Sequence, residues 1–158
     1  MKTQKTSVKY GHYQRTYNEV ESVLGFLDLE CLRPHFRDVL LMRPGQINYM
    51  FRKYKNYLQL CITAGDWVIP APDIELVWQR HIIDTKKYEA DCHKIFGYFL
   101  HYNPYRGKGD DSEAVRSAFS KTCALYESMF GEAYRFEEAV AMDVDLHRAV
   151  VVRPNSAD

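Results

Sequence analysis

The sequence predicts a mainly α fold, a small irregular bundle of four to six helices. Three observations carry that expectation. Apolar residues recur at three- and four-residue spacing over four long stretches. Few runs alternate apolar and polar as a half-buried strand would. Pro and Gly gather between the periodic stretches, where they punctuate turns. At 158 residues the chain has the length of one domain and buries roughly 68–70% of the surface that its unfolded form exposes. Neither disulfide nor metal is needed to explain folding. We divide it into a basic amino-terminal arm, 1–16, a single helical domain, 17–152, and a polar tail, 153–158.

The arm carries Lys2, Lys5, Lys9 and Arg15 and has no acid before Glu19. It lacks the apolar run of a secretory leader, so an arm packed on the domain or on a partner is expected. A first helix is predicted over 17–32, with Val20, Val23, Leu24, Leu27 and Leu29 inward and Asn18 as its cap. Pro34 should end it by biasing Arg33 away from helical angles. A short apolar piece over 39–42 leads to a turn at Pro44 and Gly45. From Gln46 a second helix places Ile47, Met50, Phe51, Tyr54, Leu58, Cys61 and Ile62 on one stripe, and Gly65 stands where it would stop.

Pro70 and Pro72 make the next stretch a loop, and Asp73 is placed to cap the following helix. A connector with Pro104, Gly107 and Gly109 comes next. Asp110, Asp111 or Ser112 can cap a helix over 113–130 whose stripe is Val115, Ala118, Phe119, Thr122, Leu125, Tyr126 and Met129, closed by Gly131. A short helix over 136–142 and an extended piece at 150–152 complete the expected elements.

Lys plus Arg and Asp plus Glu number 21 each, so no net field steers the chain to nucleic acid or an anionic membrane. No stretch approaches the roughly 20 apolar residues of a membrane span. The cysteines, Cys31, Cys61, Cys92 and Cys123, form no CxxC pair and lie beside no histidine at zinc-finger spacing. Reduced thiols in a cytoplasmic protein without a cofactor are expected. The 12 tyrosines suit both a core and an interface.

The candidate site lies in DIELVWQRHIIDTKKYEADCHKIFGYFLHYNP, residues 73–104. Taken as one straight helix, it puts Trp78, His81, Thr85, Tyr88, Cys92, Ile95 and Phe99 on a single stripe. His81 and Cys92 then stand roughly 16 Å apart along the axis and cannot share a metal ion. Asp84 and Asp91 can project from one side as paired carboxylates, although a cap and a lysine partner are the plainer roles. KYKNY, 53–57, interleaves bases and aromatics as a nucleic-acid surface does, yet Tyr54 belongs to the core stripe. RGKGDD, 106–111, lacks phosphate-loop spacing.

The run LVWQRHIIDTKKYEADCHKIFGYFLHYNPY followed by DDSEAVRSAFSKTCALYESMFGEAY resembles the glycine-rich domain-containing protein-like family, whose pattern is W-H-x-H, then D, Y, D-C, G and L-H. Trp78, His81, Asp84, Tyr88, Asp91, Cys92, Gly97, Leu100 and His101 fall on matching positions. The likeness covers 74–134 and extends back towards 17. Gln79 stands where the family has its first histidine, and no glycine-rich segment follows. Relatives with D-P-R-R-Y at 84–88 imply a helix break at Asp84, which would let His81 and Cys92 approach. The resemblance implies a module and not a reaction.

Together these readings lead to a non-catalytic α-helical interaction or scaffolding module with a protein partner, its tyrosines and basic arm as contacts. The alternative is a metal-binding protein or enzyme using Trp78, His81, Asp84, Tyr88, Asp91, Cys92 and His101. No small-molecule substrate is identified.

Overall fold

A computed structural model describes residues 17–64, 68–102 and 112–134. The basic arm, the 103–111 connector, Gly65 and the elements expected over 136–142 and 150–152 lie outside them. Among the described residues there are five α-helices and no strand: α1 (Tyr17–Gly25), α2 (Pro44–Ala64), α3 (Pro72–Ile83), α4 (Thr85–Ile95) and α5 (Ser112–Phe130). A 3-10 turn (Glu30–Leu32) and a π turn (His35–Val39) join α1 to α2. The mainly α class is observed.

The centre is α2, against which α1, α3, α5 and the π turn pack, while α4 rests on α3 and α1. Being covered on several sides, α2 buries more than one stripe. The expected Ile47, Met50, Phe51, Tyr54, Leu58 and Cys61 are joined in the interior by Lys53, Tyr57, Gln59 and Leu60. On α5, Thr122, Cys123 and Tyr126 are buried and the flanking stripe positions half-buried, so this helix forms a flank of the bundle.

Three boundaries differ from expectation. The first helix stops at Gly25, well before Pro34; Phe26 and Leu27 close a tight turn on Val23 and Leu24 through backbone bonds of 3.1 and 3.2 Å. Arg33 is helical, φ −54° and ψ −42°, in spite of the following proline, because Leu29, Leu32 and Phe36 are buried there and tertiary packing outweighs the local bias. Pro44 and Gly45 open α2 instead of forming a separate turn, proline being preorganised for a first helical turn where its missing N–H is no loss.

Of the tyrosines expected to suit both a core and an interface, five among the described residues belong to the core. Tyr54, Tyr57, Tyr88, Tyr126 and Tyr134 are all at most 2% exposed. Each hydroxyl has a partner, as a buried hydroxyl requires: His81, the Val68 carbonyl, the Leu100 carbonyl, Glu132 and the Ile69 carbonyl, respectively.

Candidate functional site

The continuous stripe from Trp78 to Phe99 does not exist, because the helix breaks at Asp84. That residue has φ −80° and ψ 74°, outside the helical region, and its carboxylate accepts from the Lys87 N–H at 3.4 Å. It ends α3 and caps α4 at once. Upstream, Asp73 is not the expected cap: Ala71 holds that position, Pro72 follows at the first helical site, and Asp73 turns inward. Downstream, α4 ends near Phe96, and Gly97 takes φ 78°, a left-handed angle that glycine adopts without strain.

The break folds α4 back along α3 and converts a separation into a contact. His81 Nε2 lies 2.9 Å from Asp91 Oδ2, and His81 Nδ1 lies 3.0 Å from the Tyr54 hydroxyl on α2. Lys87 Nζ, one turn before Asp91, donates to the same Oδ2 at 2.8 Å. Asp91 therefore acts as acceptor, which places the imidazole proton on Nε2 and leaves Nδ1 to accept from Tyr54 O–H. His81 is 1% exposed. Burial pushes its pKa below the ordinary histidine value, against the opposing pull of the Asp91 hydrogen bond. Burial likewise holds the Tyr54 hydroxyl well above its usual range, so Tyr54 keeps the proton it donates.

A second set of bonds secures the far side of the break. Trp78 Nε1 donates to the Tyr88 hydroxyl at 2.8 Å, and Tyr88 donates to the Leu100 carbonyl at 2.6 Å. The His81 and Tyr88 rings meet edge to face, 5.0 Å between centroids. Cys92 packs beside the Tyr88 hydroxyl and the Leu100 backbone, and burial pushes its thiol up, away from the reactive thiolate. Gln79, at the family's histidine position, donates to the Tyr102 hydroxyl at 2.9 Å, and Tyr102 donates in turn to Glu75.

Of the predicted site residues, Trp78, His81, Asp84, Tyr88, Asp91 and Cys92 thus belong to one clasp around the α3/α4 break. His101 does not join it; it is exposed, its ring 4.9 Å from that of Phe99. The paired-carboxylate idea resolves into the plainer roles, Asp84 as cap and Asp91 as the partner of Lys87 and His81. Nucleophile, base and orienting acid are formally present as Tyr54, His81 and Asp91, but Tyr54 is 0% exposed and its hydroxyl is bonded to His81. Both imidazole nitrogens are engaged by protein groups, so His81 has no lone pair for an ion unless the Tyr54 bond opens. Among the described residues no three His, Cys, Asp or Glu side chains converge as metal ligands.

A second cluster has no counterpart among the expected site residues. Lys53, from the KYKNY run whose likeness to a nucleic-acid surface was outweighed by Tyr54, is 0% exposed and pairs with Asp73 Oδ2 at 2.6 Å and with the Tyr134 carbonyl at 2.9 Å. The Tyr49 and Tyr134 rings flank its ammonium at 5.5 and 5.6 Å. The Tyr134 hydroxyl bridges the loop before α3, donating to the Ile69 carbonyl at 2.7 Å and accepting from Ala71 N–H at 3.1 Å. Arg52 is engaged as well, 2.7 Å from Glu132. An apolar stripe announces Tyr54 as core, but nothing in the local sequence announces which buried polar groups will meet.

These contacts fall within a region shared with other proteins. The family described as UCP032817-like matches residues 36–149, which takes in every member of both clusters. The chain belongs to the UCP032817-like family. A curated relative, glycine-rich domain-containing protein 1 of Arabidopsis thaliana, is 30% identical over 90 residues, covering 52% of this chain and 11% of the relative. The resemblance read from the Trp78 to His101 pattern is thereby supported. This UCP032817-like chain matches only about a ninth of that relative's length, so the relative's activities do not transfer to it. No solved structure matches.

Proposed function

We propose that this UCP032817-like domain is a non-catalytic α-helical protein-interaction or scaffolding module working within a larger assembly. One observation supports the reading above others: the histidine-centred group that looked reactive in sequence is consumed by internal bonds, while large apolar side chains stand outside. Phe26 is 86% exposed, Leu41 81%, Ile83 66% and Val39 64%. Leu41 also holds a left-handed φ of 53°, unusual for a residue other than glycine, so its presentation is maintained against backbone preference. In the Arabidopsis relative the matching segment is a small part of a long chain, as a module would be. Among the described residues no helix is long and apolar enough to cross a membrane. Cys31, Cys92 and Cys123 are free thiols, which accords with a reducing, cytoplasmic setting for the module.

Light scattering combined with affinity capture from the native source tests this. The expected result is a stoichiometric protein partner retained by the wild-type chain and by His81→Gln, and lost by Leu41→Asp or Ile83→Asp. A stable monomer that retains nothing counts against it. A stoichiometric metal, found by elemental analysis and lost on His81→Ala, would overturn it in favour of the metal-protein reading.

A further inference from the structure

Between α1 and α4 runs an open groove of about 350 Å³, lined by Val23, Phe26 and Leu27 from one side and Asp91, Lys94 and Ile95 from the other. Leu27 and Ile95 are buried, whereas Phe26 stands exposed, just past the end of α1. The bare Phe26 ring and the apolar slot beside it form one continuous patch that a second molecule could cover. The two helices flanking the slot differ in charge. Along α1 there are Glu19 and Glu21 and no base. Along α4, Lys86, Lys87 and Lys94 outnumber Glu89 and Asp91. The chain's formal charge is zero, so no long-range repulsion opposes the meeting of two copies.

We propose that two copies of the chain associate through this groove. A two-fold axis running along the α1/α4 seam sets the acidic α1 of one copy over the basic α4 of the other. It also carries each Phe26 ring towards the partner's groove, the same patch serving on both sides as an isologous interface requires. Asp91 lines the groove with its charge already answered by Lys87 and its Oδ2 by His81, so it does not oppose an apolar ring. Lys94, exposed on the groove wall, supplies the cation that faces α1 of the second copy. The proposal rests on the interaction-module reading and names one partner for it.

Sedimentation velocity on the full chain from about 1 μM to about 1 mM tests it, read together with the methyl NMR signals of Val23, Leu27 and Ile95. A dimer is expected to form with rising concentration while those signals shift along the same curve. Phe26→Asp weakens association at least about tenfold, as loss of an aromatic anchor does. Its far-ultraviolet circular dichroism and melting stay unchanged, because the ring is exposed in the monomer. Lys94→Glu weakens association by about twofold to fivefold, as an exposed ion pair would. A monomer across the whole range overturns the proposal, and so does a dimer indifferent to Phe26→Asp. Groove signals that respond to Phe26→Asp but never to concentration also overturn it, since the ring then serves its own chain. A monomer that still captures another protein overturns self-pairing and leaves the module standing; a monomer that captures nothing overturns both.

Discussion

The Lys53–Asp73 pair and the His81–Asp91 pair both involve α3 and draw it to a neighbouring helix, yet they differ in charge and in distance from water. In the first pair the two side chains are 0% and 1% exposed and a full ammonium is held by a carboxylate, a carbonyl and two rings. In the second, a neutral imidazole bridges a hydroxyl to a carboxylate whose side chain is 10% exposed and which also meets Lys87 near the surface. A buried charge must keep its partner, whereas a neutral histidine can lose one bond at modest cost. The first cluster is therefore the more sensitive to substitution and the second the more sensitive to pH.

The largest effect is expected where the charge is sealed. Asp73→Ala strands the Lys53 ammonium, and denaturant unfolding should show a loss of about 3–5 kcal/mol. A change under about 1 kcal/mol would mean that water reaches Lys53. His81→Phe should cost less, about 1–3 kcal/mol, since it leaves the Tyr54 hydroxyl unsatisfied while Asp91 keeps Lys87. Equal losses in the two variants would erase the distinction between the clusters.

The pH dependence sharpens the same contrast. Unfolded, His81 takes up a proton near its ordinary value of 6.5; folded, burial depresses that value. Between the two values the unfolded state binds more protons, so the contribution is present above about 6.5 and is lost as pH falls through the folded value. Asp91, Lys87, Asp84 and Tyr54 surround the ring, and burial, the largest influence, outweighs the opposing pull of Asp91 and sets the sign. Melting temperatures measured downward from neutral pH should fall in the wild type and flatten in His81→Phe. A residual slope is expected from His35, which burial shifts in the same direction. The smallest effects lie at single unpaired or capping groups. Gln59 Nε2 is buried with no partner, so Gln59→Met should stabilise the fold by about 1 kcal/mol in the same denaturant assay. Asp84→Ala, losing a long cap bond, should cost about 0.5–1 kcal/mol.

The two clusters also show what can be read from a one-dimensional string. Ile47, Met50, Phe51, Tyr54 and Leu58 were legible because apolar spacing alone declares a helix face. Asp84 was legible only through the resemblance, since periodicity runs unbroken from Trp78 to Phe99 and hides a residue whose own carboxylate ends one helix and caps the next. His81 and Asp91 could be nominated but not paired until that break was known. The burial of Lys53 was not legible because a lysine is almost never buried unless paired, and its partners, Asp73 and the Tyr134 carbonyl, come from distant parts of the chain. Long-range pairing of polar groups leaves no local signal, and that is where sequence reasoning ended.

In this fold His81 is a neutral clasp whose two ring nitrogens are taken by Asp91 and Tyr54. Long-range proton–nitrogen NMR of the His81 imidazole tests it most directly. The expected result is one Nε2–H tautomer, its Nδ1 accepting a hydrogen bond that persists through neutral pH and is lost in Tyr54→Phe or on acid unfolding. A His81 ring that titrates freely near 6.5 in the folded protein, or whose Nδ1 signal moves on adding zinc, would contradict it.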